Sequence, residues 1–529
     1  MRIILALLVA AVLAPLADAE IREVNVTGGR VTGVAVKGIV SFKGIPFAAP
    51  PVGELRWKPP QPVQPWTGVK QANAYGPSCM QDPNFVKIFG APPAISEDCL
   101  YLNIWTPAKT PGDKLPVMVW IYGGGFVGGM TSIPAYDGTR LAEKGVVLVS
   151  VAYRLGVFGF LADPELSRES SKGVSGNYGL EDQIAGLKWV KANIARFGGD
   201  PSRVTIFGES AGGMSVSMLT VSPAAKGLFQ RAISESGGSL GPARFGNEGG
   251  ETVPPLKVAE ASGQKFLGKL GANDIQAARA LSAEKIQTAL GPGLQGGFWP
   301  VYDGYILPRD AYELYQARRF NDTPVLVGTN SDEGALFVRG GVTPAAFEAE
   351  IRAGYGKEAD AVLAAYPHAT GAEAAKSGKD IFRDATFAWH TWAWALLQSE
   401  KGRGKAYVYY FDHRTPQSPN GATHGAEIGY VFRNLGGPGG GPSSVAGTPR
   451  PDDVAMSDLM SSYWTNFAKN GDPNGSGLPE WPAFSAAHEQ VMYLGAHSGA
   501  QDVPNMAQIK ALDGYFAWRR EQEKTELEH

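Results

Sequence analysis

Val204-Thr205-Ile206-Phe207-Gly208-Glu209-Ser210-Ala211-Gly212-Gly213 is the stretch whose residue types and spacing could do chemistry. Its first four residues are β-branched or aromatic and favour a strand. A Gly-x-Ser-x-Gly turn between a strand and a helix holds its serine hydroxyl at the tip of a strained bend. Glycines two residues either side are required there, because a Cβ would collide with the neighbouring strand and helix. The helix that follows aims its first amides at the same point, which favours developing negative charge. A serine so placed becomes a nucleophile when an imidazole takes its proton and a carboxylate fixes the tautomer of that imidazole. The alternative is a Gly-rich turn with an incidental serine, so the rest of the chain must supply the base and the acid.

Seven histidines are present, all after Ser210. His390 sits in Phe387-Ala388-Trp389-His390-Thr391-Trp392, an aromatic helical face that suits a packed structural residue. His368 follows Tyr-Pro, His488 and His497 lie in polar terminal segments, and His529 belongs to the last three residues, Leu527-Glu528-His529, which read as a tag scar. His413 and His424 remain. A general base belongs on a loop beyond a strand end, and Gly421-Ala422-Thr423-His424-Gly425-Ala426-Glu427 fits that better than His413, which directly follows a strand. For the acid, Gly328-Thr329-Asn330-Ser331-Asp332-Glu333-Gly334 follows an apolar run. Only one of two adjacent carboxylates in a turn can meet the imidazole, and spacing leaves Asp332 and Glu333 both open.

The elements that must position these groups read as alternating strands and helices. Val117–Tyr122 and Val146–Tyr153 are apolar without alternation, as strands covered on both faces are. Leu100–Trp105, Val204–Phe207, Ala232-Ile233, Val325–Gly328 and Ala406–Phe411 add further strands, and Leu180–Phe197 reads as an amphipathic helix through Ile184, Leu187, Val190 and Ile194. Gly44 to Phe47 and the Pro-rich run to Pro65 read as extended loop. The whole is an α/β fold with a mainly parallel central sheet flanked by helices and carrying large insertions. No repeat or linker divides it, so residues 20–526 are expected to form one domain. Gly123-Gly124-Gly125-Phe126 ends one apolar run and lets backbone amides face a ligand. A dinucleotide fingerprint does not fit, because the spacing is wrong and no helix opens directly behind the glycines.

Composition narrows the class further. The chain has 529 residues, 44% hydrophobic and 19% charged, with a formal net charge of −3 and no basic run, which argues against nucleic acid. Arg2, the apolar Ile3–Leu13 and Ala17-Asp18-Ala19 make residues 1–19 a secretory signal, so export to a periplasmic or extracellular space is expected, with no transmembrane anchor in the mature chain. Two cysteines, Cys79 and Cys99, suit a disulfide in such a protein. Neither has a histidine or third cysteine nearby, so no metal is expected.

With these residues in view, the chain resembles the type-B carboxylesterases, the cholinesterase-like and para-nitrobenzyl-esterase-like branch of the α/β-hydrolases. Phe197-Gly198-Gly199-Asp200-Pro201 through Gly208-Glu209-Ser210-Ala211-Gly212 is similar to the family's serine signature. Ser96-Glu97-Asp98-Cys99-Leu100-Tyr101-Leu102-Asn103 resembles its second signature, and Gly44–Ala48 with Pro51-Val52-Gly53 its N-terminal segment. The likeness spans about residues 23–515. It implies a catalytic set of Ser210, Glu333 and His424, and oxyanion donors from the backbone amides of Gly124, Gly125 and Ala211. It also implies a supporting Ser236, with Glu209 beside the nucleophile, and pairs Cys79 with Cys99. No cofactor is implied.

Departures from that family bear on the substrate. Residues 80–98 lack the tryptophan that holds a quaternary ammonium in choline-specific relatives, although Trp299 or Phe432 could substitute for it. The two phenylalanines that narrow the acyl pocket in acetylcholine-specific members fall at Leu294 and Gly296, with Phe298 or Trp299 as a rim. The expectation is a serine carboxylesterase for small-molecule neutral esters with medium-sized or bulky acyl groups, acting as a monomer or weak oligomer. Two other functions compete: a catalytically inactive cholinesterase-like adhesion domain, and a hydrolase specialised for amides or one bulky natural-product ester.

Overall fold

The apolar runs pair where their lack of alternation requires. In a computed structural model, residues 21–528 are described except 88–92, 244–252, 292–297, 339 and 437–447, with only the backbone described for 525–528. The segment 1–19, Leu294 and Gly296 therefore lie outside the described residues. The main sheet consists of β1 (Val34–Val36), β2 (Ile39–Pro46), β3 (Tyr101–Thr106), β4 (Leu115–Ile121), β5 (Val147–Val151) and β6 (Gly199–Glu209). It continues with β7 (Arg231–Glu235), β8 (Val325–Asn330), β9 (Ala406–Phe411), β10 (Gln490–Leu494) and β11 (Gly499–Asp502).

Across the sheet the order is β11-β10-β9-β8-β7-β6-β4-β5-β3-β2-β1. From β10 to β5 every pairing is parallel, and the pairings at both edges are antiparallel. Burial explains this division. All residues of β5 and β8 are buried, as strands between two helix layers must be, whereas the edge strand β1 exposes Val34 and Val36.

Three expectations change. The segment read as loop from Gly44 to Phe47 begins inside β2, which runs through Pro46 and pairs Ile45 with Leu102. A shift of register between Phe42 and Ile45, with Gly44 at φ 76°, lets the strand pass the bend. The helix expected at Leu180–Phe197 is Tyr178–Asn193 followed by a 3-10 turn, Ile194–Phe197. Ile184, Leu187, Val190 and Ile194 are buried as expected, but so are Asp182 and Gln183, so the helix is covered on more than one face. Two late strands, β10 and β11, were not legible because Gln490–Leu494 and Gly499–Asp502 mix polar and apolar residues without a clean period.

A disulfide joins Cys79 to Cys99 and ties the short pair Ser78–Cys79 and Ile95–Ser96 to the segment leading into β3. The helix Met506–Glu528 closes the chain and includes part of the terminal segment read as a tag scar. No helix among the described residues is long and apolar enough to cross a membrane.

Beneath the sheet, Arg154 and Asp182 form an ion pair at 2.7 Å, 3% and 0% exposed, and Arg154 also donates to the carbonyl of Lys58. Asp182→Asn removes the paired carboxylate from the buried guanidinium, whose other acidic neighbour, Glu181, is itself pushed up to about 8 by burial, so urea denaturation should show a loss of about 3–5 kcal/mol. A loss under about 1 kcal/mol would mean that the Lys58 carbonyl and water satisfy Arg154 without it.

Candidate active site

Strand β6 ends at Glu209, and the next residue takes a conformation few side chains adopt: Ser210 has φ 56° and ψ −125°. Its amide donates to the Glu235 carbonyl at 2.9 Å, anchoring the bend to the end of β7, and the helix Ala211–Val221 begins immediately. The need for glycine is steric. A Cβ on Gly208 would lie 2.5 Å from the Ile121 carbonyl oxygen, and one on Gly212 would lie 2.0 Å from it. Ser210 is half-buried while its neighbours Glu209 and Ala211 are buried.

Beside this bend runs the loop after β4. Gly123 packs on it so closely that a Cβ would lie 2.6 Å from the Glu209 carbonyl and 2.9 Å from Ser210 Cβ. Gly124 and Gly125 have φ 111° and 62°, and among the described residues neither amide donates a hydrogen bond. Ala211 is the first residue of the helix, so its amide belongs to the same N-terminal set.

The candidate acid follows β8. Glu333 is fully buried and its Oε2 lies 2.6 Å from His424 Nδ1. Its Oε1 accepts from Ser236 Oγ at 2.5 Å and from the Asn330 amide at 2.7 Å. A carboxylate can only accept, so Nδ1 carries the proton and Nε2 is left as the basic nitrogen. The adjacent Asp332 faces away: burial raises its pKa while Lys379, Arg383 and Lys376 oppose that and Asp380 adds to it. The two loops are also tied by backbone. The amide of Asp332 donates to the Ala422 carbonyl at 2.8 Å, the Ala422 amide donates to Ser331 Oγ, and Asn330 Nδ2 donates to the Thr423 carbonyl.

The rival histidines have other partners. His413 Nε2 meets Asp453 Oδ1 at 2.8 Å. His390 Nδ1 accepts from the Leu240 amide at 3.0 Å, and burial pulls its pKa down to about 3, with Arg520 adding to the effect.

On its other side, His424 Nε2 lies 3.2 Å from Glu209 Oε1, a close charge contact that is not aligned as a hydrogen bond. No hydrogen bond links Ser210 Oγ to the imidazole among the described residues. Contacts of this kind commonly tighten only when substrate is bound. Burial pulls the imidazole pKa down, but Glu209 and Glu333 outweigh it and raise it to about 9. Burial raises Glu209 to about 7, opposed by His424 and aided by Glu333.

Sequence reasoning missed two more carboxyls in this cluster. Glu427 is fully buried and raised well above the usual carboxylate range, by burial first and then by Glu209, Glu235 and Glu333. It accepts from Asn330 Nδ2. Glu235 accepts from Trp464 Nε1 at 2.7 Å, and burial raises it to about 8. A signal existed for both: Glu427 lies on the His424 loop, and Glu235 is a charge in an apolar strand.

The aromatic candidates separate. Trp299 packs edge-on against Phe126 at 5.2 Å, beside the glycine loop. Phe298 packs on Phe266 at 5.3 Å, in a satellite core. Phe432 is fully buried between Trp120 and Phe207, so it is a core residue and cannot fold over the site. Among the described residues no cluster of His, Cys, Asp or Glu is arranged to hold a metal.

A serine on a strained bend, an imidazole held by a buried carboxylate and free amides alongside make an arrangement suited to acyl transfer. The sequence model of the carboxylesterase family matches residues 20–511. This chain belongs to the carboxylesterase family. It is 39% identical over 501 residues to fumonisin B1 esterase of Sphingopyxis macrogoltabida, covering 91% of this chain and 88% of that protein. It is 37% identical over 506 residues to para-nitrobenzyl esterase of Bacillus subtilis (strain 168), covering 92% and 97%. A solved PNB esterase structure superposes with a TM-score of 0.81 at 34% identity, covering 93% of this chain and 99% of that one. The fold is thus that of the α/β-hydrolases, and the protein is a carboxylic ester hydrolase.

The carboxylesterase geometry fixes a pH response. With His424 as the candidate general base, kcat/KM is expected to fall as pH drops through its pKa. Removing one of the two carboxylates whose charge raises that pKa lowers it. Glu209→Gln should therefore move the acid limb of the pH–kcat/KM profile to lower pH by ~1 unit or more. An acid limb that stays put or moves up would show that Glu209 does not carry the charge that raises His424.

Proposed function

We propose that Ser210 attacks the ester carbonyl, His424 acts as general base and then general acid, and Glu333 holds the imidazole in the required tautomer. The observation that carries this is the 2.6 Å contact between Glu333 Oε2 and His424 Nδ1 beside a serine in a left-handed bend. As the tetrahedral intermediate forms, its oxyanion sits against the amides of Gly124, Gly125 and Ala211, each good donor contributing roughly 3 kcal/mol. Collapse expels the alcohol and leaves an acyl-serine. Water then attacks with His424 as base, and no cofactor is consumed. Ser236 supports Glu333, and Glu209 stabilises the imidazolium that forms in both halves.

The substrates are neutral small-molecule esters with medium-sized or bulky acyl groups. Support comes from the sequence of the acyl-pocket segment, where Leu294 and Gly296 replace larger aromatics, and from the lack of tryptophan in residues 80–98. Relatives named for a fumonisin ester and for a para-nitrobenzyl ester are compatible with a bulky substrate. The enzyme is exported, as Arg2, Ile3–Leu13 and Ala17-Asp18-Ala19 together with a disulfide suggest, and acts as a monomer or weak oligomer.

Three measurements test this. Ser210→Ala should reduce ester turnover by several orders of magnitude without lowering the melting temperature, because the hydroxyl supplies chemistry and little packing. An organophosphate should label Ser210 in the wild type, and near-normal turnover in the variant would overturn the mechanism. Glu333→Gln should cost far more activity than Asp332→Asn, and the reverse order would reassign the acid. On a chromogenic panel, kcat/KM should rise from acetyl to butyryl and longer chains by up to ~0.8 kcal/mol, or fourfold, per accommodated methylene. A steep fall beyond acetyl, or faster cleavage of the matching amides, would overturn the substrate class.

A further inference from the structure

The aromatic segment around His390 has no part in the chemistry described above, yet it reaches the active site from behind. The helix Gly371–Arg383 widens into a π-helical turn, Asp384–Ala388, before continuing as Trp389–Lys401. Such an inserted residue rotates everything after it around the helix, and such turns occur often at functional sites. This one is anchored by the buried Asp384, which pairs with Arg383 at 2.7 Å and accepts from Tyr366 Oη at 2.9 Å and Asn505 Nδ2 at 2.5 Å. Arg383 also donates to the Ser331 carbonyl at 3.0 Å, so the turn is fastened to the loop that carries Glu333.

The consequence is a contact no sequence pattern announces. The buried Phe387 ring lies face to face with His424, with centroids 4.7 Å apart and planes 18° apart. Phe337 meets the same imidazole edge-on at 5.1 Å, stacks on Phe382 at 4.8 Å, and Phe382 meets Phe387 at 6.2 Å. Three phenyl rings and the imidazole therefore close a circuit, with Phe387 covering the imidazole face.

We infer that Phe387 is a positioning residue for His424, holding the imidazole plane and stabilising its protonated form through the phenyl face. The inference rests on His424 being the general base. Imidazolium is formed in acylation and again in deacylation, and a positive charge over an aromatic face is attracted by the ring quadrupole. Face contact also opposes tilting of the imidazole out of its plane. Leucine fills similar space but has no quadrupole, whereas tyrosine keeps the face.

The charged groups around the imidazole are Glu333 and Glu209 in contact, Glu427 and Glu235 behind them, and Arg383 and Asp384 on the turn. Asp332, Lys379 and Asp380 lie on the outer side of the acid loop. None of these is altered by a change at Phe387.

The test compares Phe387→Leu and Phe387→Tyr with wild type and Ser210→Ala, using p-nitrophenyl butyrate from pH 5 to 10 with thermal melting alongside. On the alkaline plateau, where the resting imidazole is neutral, Phe387→Leu should lower kcat by about 2- to 30-fold with KM within about twofold, since the lost interaction is made chiefly to the protonated ring. Removing the aromatic face destabilises imidazolium, so the acid limb should move to lower pH by ~0.5 unit. Phe387→Tyr should restore most of kcat and return the limb to its wild-type place. Wild-type kcat and limb in Phe387→Leu, beside an inactive Ser210→Ala, would overturn the positioning role alone. Equal losses in the Leu and Tyr variants that track their melting temperatures would also overturn it, because packing would then account for them. Activity persisting in Ser210→Ala would overturn the mechanism and this inference together.

Discussion

The contact between Glu333 and His424 is the one the rest of the active site depends on. It joins a residue just beyond β8 to one on the loop after β9, 91 residues apart in sequence. A single hydrogen bond between two loops would not hold an imidazole to the tolerance catalysis needs. Here the loops are also joined by Asp332 to Ala422, Ala422 to Ser331, and Asn330 to Thr423. Helix Gly371–Arg383 presses on the acid turn so closely that a Cβ at Gly334 would lie 2.5 Å from the Lys379 carbonyl. The acid loop is therefore clamped from two sides, and the histidine loop is built onto it.

Electrostatics follow from that clamp. Four buried glutamates, Glu209, Glu235, Glu333 and Glu427, surround one histidine, and a low-dielectric site cannot carry four negative charges on one positive one. The protons are shared unequally. Burial drives Glu235 and Glu427 toward the neutral acid, while Glu209 beside the imidazole is held nearer ionisation by its charge. Coupled groups titrate as a set, so the proton on His424 and the proton on Glu209 are one question answered twice. The arrangement favours imidazolium, the species that the proposed mechanism forms in both halves, at some cost to the population of neutral imidazole near pH 7.

Much of this was legible in the sequence, and the reason is steric or chemical in each case. The serine bend was legible because Gly208 and Gly212 have no alternative where the Ile121 carbonyl stands 2.5 and 2.0 Å from any Cβ. Apart from β10, whose residues mix polar and apolar, the parallel strands were legible because burial on both faces leaves apolar runs. The choice of Glu333 over Asp332 was not available from spacing, since a turn directs adjacent side chains apart and only the fold says where each points. Likewise His413 and His424 both follow β9, and Asp453, on a helix 40 residues away, claims the first. Phe387 was illegible for a different reason: a π-turn shifts its direction relative to helical periodicity, and nothing in Asp384-Ala385-Thr386-Phe387-Ala388 marks the insertion.

The strand order explains why so few elements suffice. Strands β4 and β6 are hydrogen-bonded neighbours, and adjacent strands lie about 4.8 Å apart. The glycine loop leaving β4 and the serine leaving β6 are therefore placed together by the sheet before any loop detail matters. Strand β7 then separates β6 from β8, and its exit fills the gap with Ser236, which bridges to Glu333. Strand β9, next in line, feeds the loop that returns with His424. Five consecutive strands thus deliver their functional groups from the same, carboxyl, end of a parallel run, where ligands of open α/β sheets bind. Exchanging β7 with either neighbour would move the serine away from the glycine loop or Glu333 away from the His424 loop by one strand spacing. The permissible topology is narrow, and the insertions between strands are left free to vary with the substrate.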